Sequence, residues 1–180
     1  METKHRGAFE QVYCGFSQVC AALCKCPAPE LNRLPATWLR EILADLQCPQ
    51  AAARLCLTRR SAGLPFMLQA ILSPEIQSGR AHLFTEAVTL ILSVAAGGGA
   101  STAAEGRIHA LNILRFLFRD SRFAQAMAPY VGRGVQISVD GFEAGDWGFQ
   151  RGDEVVARVG RRCGGGAFAA GAHGVTSQRA

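Results

Sequence analysis

The chain has 180 residues, 49% of them apolar and 18% charged, so it can build a core and is too apolar to be disordered throughout. Its formal net charge is +5, but residues 1–150 hold 14 Lys and Arg against 12 Asp and Glu, whereas residues 151–180 hold 5 against 2. Because the body of the chain is nearly neutral, the basic pI alone does not indicate a polyanion-binding protein.

The first part of the chain has the apolar spacing of an amphipathic helix. Between Gly7 and Cys24, apolar residues recur every three or four positions, which predicts a helix with one buried stripe. The stripe consists of Phe9, Val12, Tyr13, Phe16, Val19, Cys20 and Leu23.

A proline-rich stretch over residues 27–35 ends that helix, and a second helix is predicted over residues 38–46. Thr37 is its expected N-cap, and the helix should stop before Pro49. Residues 51–62 predict a short helix that leads into Pro65. Pro65 either starts the next helix in its first turn or kinks a continuous one, and we favour the kinked pair.

The next helix is predicted over Leu64–Leu72, with an end at Ser73-Pro74. A fourth follows over residues 83–95, and the glycine run at residues 97–102 is typical of a flexible connector. Residues 108–118 predict a fifth helix. A sixth, weakened by proline and glycine, is indicated by Phe123, Met127, Val131, Val135 and Val139.

No segment alternates like a strand, so the sequence predicts an all-α protein. Consecutive helices joined by short breakers favour a HEAT/armadillo-like solenoid with repeats of about 40–47 residues, and a closed helix bundle is the competing architecture. Residues 1–147 form the predicted helical-repeat segment. Residues 148–180 are rich in glycine, alanine and arginine, and we expect them to be a disordered tail.

The expected cellular location follows from the absence of a recognisable secretory signal or membrane-spanning segment. The opening residues have no apolar segment of the kind that secretory signals carry, and no apolar run is long enough to span a membrane. Seven cysteines without a secretion signal favour reduced thiols. We therefore expect a cytoplasmic protein.

Enzymatic and cofactor sites are not indicated. The glycine run at residues 97–102 follows a helix and contains no lysine, unlike a phosphate-binding loop. The clustered cysteines Cys14, Cys20, Cys24 and Cys26 lack a following histidine pair, so helix-borne thiols are favoured over a zinc site. The four histidines show no paired spacing with a nucleophile. We expect no enzyme activity, no metal and no cofactor.

The arrangement of arginines is more informative than their number. Arg115 and Arg119 lie one helical turn apart, and Arg59 and Arg60 form a pair at the predicted helix bend. The planar guanidinium group suits phosphate contacts, and arginines along successive helices could bind a nucleic-acid backbone. These four residues are the candidate RNA-binding residues; a merely solvated helix face is the other interpretation.

Three blocks carry a family resemblance: KHRGAFEQVYCGF at residues 4–16, LTRRSAGLPFMLQAIL at residues 57–72, and IHALNILRFLFRDSRF at residues 108–123, which continues through APYVGRGVQISVDGFEAGDW to Trp147. In order and spacing they resemble the central region of the thyroid adenoma-associated protein family. Members of this family are much longer, so the chain is expected to be a fragment.

The resemblance implies a cytosolic α-solenoid that is a regulatory, non-catalytic subunit in tRNA ribose 2′-O-methylation. The partner it implies is an FtsJ-like methyltransferase that carries S-adenosylmethionine and modifies the anticodon loop of tRNA. A helical-repeat protein–protein interaction module without an RNA role is the alternative function.

Overall fold

The computed structural model describes residues 6–52, 61, 63–97 and 104–143. Every regular element within these residues is helical, which confirms the all-α prediction. In chain order the α-helices are α1 (Arg6–Lys25), α2 (Pro29–Asn32), α3 (Leu34–Gln47), α4 (Pro49–Ala52), α5 (Leu64–Gln77), α6 (His82–Ala95), α7 (Ala104–Arg119), α8 (Ala124–Met127) and α9 (Val131–Glu143), with 3-10 turns at Ser121–Phe123 and Ala128–Tyr130.

The long helices enclose one hydrophobic core. Helix α1 packs along α5, α6 packs along α7, and α3 contacts both α6 and α7. Helix α5 is buried over most of its circumference, so it lies between α1 on one side and α7 on the other. Phe84 of α6 stacks on Phe123 with ring centroids 5.6 Å apart, which joins the 3-10 turn after α7 to the core.

The predicted first helix is confirmed as α1, but only part of its predicted apolar stripe is buried. Tyr13 and Phe16 pack against the core and Cys20 is fully buried, whereas Val12 is 50% and Val19 48% exposed. At 100° per residue the two valines lie on the edge of the stripe away from Tyr13 and Cys20. Because the described neighbours of α1 cover only one side of the helix, that edge remains in solvent.

Helix α3 begins earlier than predicted. Its first residue is Leu34 and Arg33 occupies the N-cap position, so the prediction of Thr37 as N-cap was wrong. Pro35 stands in the first turn, where its fixed φ suits a helix and its missing N–H is not needed. Thr37 lies inside the helix, and its hydroxyl donates to the Arg33 carbonyl at 3.2 Å.

Helix α5 continues through Pro74 to Gln77, so the predicted end at Ser73-Pro74 was also wrong. Pro74 has no N–H to donate to the helix, and the hydroxyl of the preceding Ser73 donates to the Gln69 carbonyl at 2.6 Å. The last turn is held because Glu75 is buried and bonds to the start of α6. Tertiary contacts therefore outweigh the local signal of the proline.

Pro65 lies in the first turn of α5, which begins at Leu64 after the N-cap residue Gly63. Most of the predicted helix over residues 51–62 falls outside the described residues. Ser61 has a left-handed φ of 66° and Gly63 is the N-cap of α5, so Pro65 starts a helix and does not kink a continuous one; the favoured kinked pair was wrong. The predicted helices at 83–95 and 108–118 are confirmed as α6 and α7. Helix α6 ends before Gly97, whose φ of +77° is the left-handed conformation that favours glycine after a helix.

The sixth predicted helix is divided in the structure. Two 3-10 turns flank α8, and the long helix α9 starts only at Val131. Phe123 and Met127 are buried as expected, but Val135 and Val139 are exposed, and α9 instead buries the face that carries Ile137. Pro129 stands in the second 3-10 turn and separates the two helices.

The glycine connector after Gly97 and the tail from residue 148 lie outside the described residues, so both stay predictions, as do the domain boundary, the solenoid and the competing closed bundle. None of the described helices has the length and apolarity that a membrane span requires.

Candidate nucleic-acid interface

A groove of about 600 Å³ lies where α1, α5, α7 and the following 3-10 turn meet. It contains three arginines, three aromatic rings, two amides, one carboxylate and a proline. The lining residues are Tyr13, Pro65, Phe66, Gln69, Asn112, Arg115, Phe116, Arg119, Asp120 and Arg122.

Helix α7 supplies one complete face of the groove. Asn112, Arg115, Phe116 and Arg119 follow the spacing i, i+3, i+4 and i+7, so they share one side of the helix. The remaining circumference of α7 is largely buried in the core, which fixes the orientation of this face. Arg115 and Arg119 are four residues apart, about 6 Å along the helix axis.

The aromatic rings of the groove contact one another in a row. Tyr13 and Phe66 have centroids 5.3 Å apart and planes at 70°, and Phe66 and Phe116 have centroids 4.9 Å apart and planes at 60°. Each of the three side chains is partly exposed. At these angles the edge of one ring packs towards the face of its neighbour, as in an edge-to-face pair.

A chain of hydrogen bonds connects the three elements that form the groove. The Tyr13 hydroxyl donates to Gln69 Oε1, and Gln69 Nε2 donates to Asp120 Oδ2. Gln69 is only 3% exposed, so this amide is an internal link. The three residues join α1, α5 and the turn after α7, and they define the relative positions of the groove's walls.

Asp120 also holds Arg122 in place. Asp120 Oδ1 accepts hydrogen bonds from the backbone N–H and the Nε of Arg122, each at 3.0 Å. Asp120 Oδ2 accepts a third from the terminal guanidinium nitrogen of Arg122 at 2.9 Å, and this contact is also an ion pair. Burial lowers the pKa of Arg122, but the hydrogen bonds and charges of Asp120 and Tyr13 outweigh it, so the pKa is raised overall. The Arg122 side chain is nevertheless 52% exposed and stays charged.

The groove is electropositive overall. Its three arginines face one carboxylate, and that carboxylate is engaged by Arg122. Among the lining residues, guanidinium groups therefore outnumber carboxylates by three to one. A concave surface with excess guanidinium groups beside aromatic rings has the chemistry of a nucleic-acid interface.

A buried polar cluster lies behind Asn112. The Ser61 hydroxyl is 2.8 Å from His109 Nδ1 and accepts a 3.0 Å hydrogen bond from Asn112 Nδ2. Ser61 is 2% exposed and has a φ of 66°, which is rare outside glycine. Burial lowers the pKa of His109. This cluster connects the chain before α5 to the inner side of α7.

Arg115 and Arg119, two of the four candidate arginines, lie together in this groove. Arg59 and Arg60 fall outside the described residues, and their role stays a prediction. Sequence reasoning missed Tyr13, Phe66 and Phe116. The helical spacing of Asn112, Phe116 and the two arginines could have revealed the α7 face, but the meeting with α1 required the tertiary structure.

Cys20 of α1 is a packing residue. Cys20 is fully buried, and desolvation together with the nearby Cys24 raises its pKa to about 11, which makes it a poor nucleophile and metal ligand. Cys14 on the same helix is exposed. Within the described ranges, no three histidine, cysteine or acidic side chains are grouped in a way that could hold a metal ion.

Comparison with known proteins gives a consistent result. Residues 1–148 match the family model described as THADA/TRM732, DUF2428. The chain is 40% identical over 147 residues to the tRNA (32-2′-O)-methyltransferase regulator THADA of Gallus gallus and 39% identical to that of Homo sapiens, which covers 82% of the chain in each case. It is 30% identical over 151 residues, 81% of the chain, to the tRNA (32-2′-O)-methyltransferase regulator trm732 of Schizosaccharomyces pombe.

The chain spans about 8% of the length of the two vertebrate relatives and 10% of the length of the yeast relative. No solved structure matches it significantly.

Proposed function

The chain belongs to the THADA/TRM732 family, and from this we propose that it is a non-catalytic scaffold segment that supports ribose 2′-O-methylation of tRNA. The relatives are named regulators of a tRNA (32-2′-O)-methyltransferase, which supports a regulatory rather than a catalytic role. We propose further that the modified nucleotide lies in the anticodon loop, that the catalytic partner is an FtsJ-like enzyme, and that both act in the cytoplasm.

The observation that carries this function is the electropositive groove. Arg115 and Arg119 project from one side of a helix whose other sides are held in the core, so their backbone positions are fixed before any ligand binds. Planar guanidinium groups suit the phosphates of a folded RNA. We propose that these two arginines contact the backbone of tRNA and help to present it to the partner enzyme.

The test of RNA contact is charge reversal of Arg115 and Arg119. The R115E/R119E variant should bind tRNA more weakly, and its affinity should depend less steeply on salt. For single-stranded RNA, the slope of log K against log salt should decrease by about 0.7 for each phosphate that the variant no longer neutralises. Arg133, which lines a separate cavity beside α6 and α9, provides the matched control. R133E should retain the salt dependence of the parent. Equal behaviour of both variants would contradict the assignment of RNA binding to this groove.

The test of function is a chimera. The matching segment of full-length human THADA is exchanged for residues 1–147 of this chain, and tRNA 2′-O-methylation is measured in cells that lack the endogenous protein. We expect the chimera to restore methylation and the same chimera with R115E/R119E to fail. Restored methylation in both would show that RNA contact by these arginines is not required.

A second candidate function is a protein-interaction module without RNA contact. It is favoured by the exposed edge of α1, where Val12 and Val19 are each about half exposed. A V12E/V19E chimera distinguishes the two functions. Loss of partner binding with unchanged tRNA affinity would support this module, whereas unchanged partner binding would argue against it.

A further inference from the structure

Phosphate contact by arginines does not require the aromatic rings of the groove. Phe66 and Phe116 each leave part of their surface in solvent, although α5 and α7 bury most of their other large apolar side chains. Phe116 directly follows Arg115 and shares the same helix face as Arg119. The partly exposed ring of Phe116 leaves apolar surface in water on the helix face that also carries the two arginines, so a ligand with an apolar planar part suits this face.

The dimensions and chemistry agree with one nucleotide. A volume of about 600 Å³ is in the range of pockets that bind small organic ligands. Unstacked RNA bases are typically bound by stacking on aromatic side chains or guanidinium planes, with arginines on the adjoining phosphates. The groove offers an aromatic ring, Phe116, and two arginines, Arg115 and Arg119, within about one helical turn of α7.

We propose that the groove binds one unstacked nucleotide of single-stranded RNA, with its base on Phe116 and its phosphates at Arg115 and Arg119. The proposal rests on the proposed function, because it uses the same two arginines. It goes further in naming the structural class of RNA: the bases of an intact duplex are already stacked on their neighbours and cannot reach the ring. An acidic peptide would satisfy the arginines but gain nothing specific from Phe116.

The experiment compares two ligands on the unmodified full chain. One is an oligouridylate of about 10 nucleotides, and the other has the same ribose and phosphate backbone without bases. Stacking is worth about 5- to 150-fold in affinity for each base, so the abasic ligand should bind more weakly by a factor in this range. In F116L the two ligands should bind nearly equally, because the backbone contacts remain and the ring is gone.

Matched variants separate stacking from a general loss of structure. Tyr130 is a partly exposed aromatic beside Arg133 in the other cavity, so Y130L should retain the full preference for the base-containing ligand. R119Q should weaken both ligands by the same factor and retain the ratio between them. Thermal unfolding of each variant confirms that the fold is retained.

Each other outcome overturns the proposal in a distinguishable way. If the unmodified chain binds both ligands equally, the nucleotide site is wrong, while phosphate contact and the proposed function stand. If it binds neither, the proposed function loses its RNA contact as well. If oligoglutamate binds as tightly as oligouridylate and is equally sensitive to F116L, the groove is a site for acidic peptides.

Discussion

Glu75 Oε2 accepts a 2.8 Å hydrogen bond from the backbone N–H of Phe84, nine residues further along the chain. Its second oxygen accepts the N–H of Leu83 at 2.9 Å. Ala81, the N-cap residue of α6, has no side-chain acceptor. The last turn of α5 therefore provides the cap that the start of α6 lacks. The negative charge of the carboxylate also interacts favourably with the positive end of the α6 helix dipole.

Glu75→Ala should lower the free energy of unfolding by about 1–3 kcal/mol, because it leaves two N–H groups of α6 without their acceptor. Glu75→Gln should cost less, since one acceptor oxygen remains. Glu41, an exposed carboxylate on α3, gives the control variant E41A, which should be nearly neutral. Urea unfolding measures all three; equal losses for E75A and E41A would contradict the capping role.

The contact between α3 and α7 predicts an effect of adding a single methyl group. A Cβ atom on Gly106 would lie 2.5 Å from the backbone oxygen of Leu46, so the two helices would have to move apart. Gly106→Ala should therefore destabilise the protein by about 1–3 kcal/mol. Gly15→Ala in α1, where the added Cβ would meet nothing within 4 Å apart from the local helix backbone, should instead stabilise by about 0.5–1 kcal/mol. A G106A variant as stable as the parent would rule out the close approach.

Ser61 predicts an unusual order of stability among its variants. Both Ser61→Gly and Ser61→Ala remove the hydroxyl that bonds His109 and Asn112, at a cost of about 1–3 kcal/mol. Glycine relieves the strain of the positive φ, whereas alanine keeps it. Thermal unfolding should rank the parent first, S61G second and S61A last. The reverse order of the two variants would show that the backbone at this position is not left-handed.

His109 predicts a pH dependence of stability. Because burial lowers its pKa in the folded state, the unfolded chain binds a proton that the folded chain does not. Stability should therefore fall as the pH is lowered through about 6.5, the ordinary histidine pKa, and the loss should be complete below the folded-state pKa. H109Q should flatten this part of the profile. A flat profile in the parent would contradict the prediction.

Periodicity is sufficient to predict the helices that are amphipathic on their own. Helices α1, α6 and α7 carry an apolar face that the spacing of residues reveals, and their bounds agree within a few residues. The failures at Thr37 and Pro74 have a common physical cause. Local cap and proline signals indicate helix ends there, whereas tertiary contacts, such as the bond between Glu75 and Phe84, continue the helix past them.

The groove could be predicted only in part for a related reason. Arg115 and Arg119 are four residues apart, so helical spacing alone places them together. Tyr13 and Phe66 are 53 positions apart in the chain and meet only because α1 packs on α5. No local pattern encodes that meeting, so sequence reasoning cannot place Tyr13 and Phe66 in the site, whereas helical spacing could have placed Phe116 there.

The hydrogen bonds from Tyr13 to Gln69 and from Gln69 to Asp120 span 56 and 51 residues of chain. Contacts this distant in sequence form only after the intervening loops have closed, and closure costs conformational entropy. The groove is therefore complete only when α1, α5 and the turn after α7 have all come together. A chain that has emerged from the ribosome only as far as α6 already has Tyr13 and Gln69 but no Asp120 to complete the link. A ligand that binds in this groove would therefore bind only to chains that have folded through residue 122.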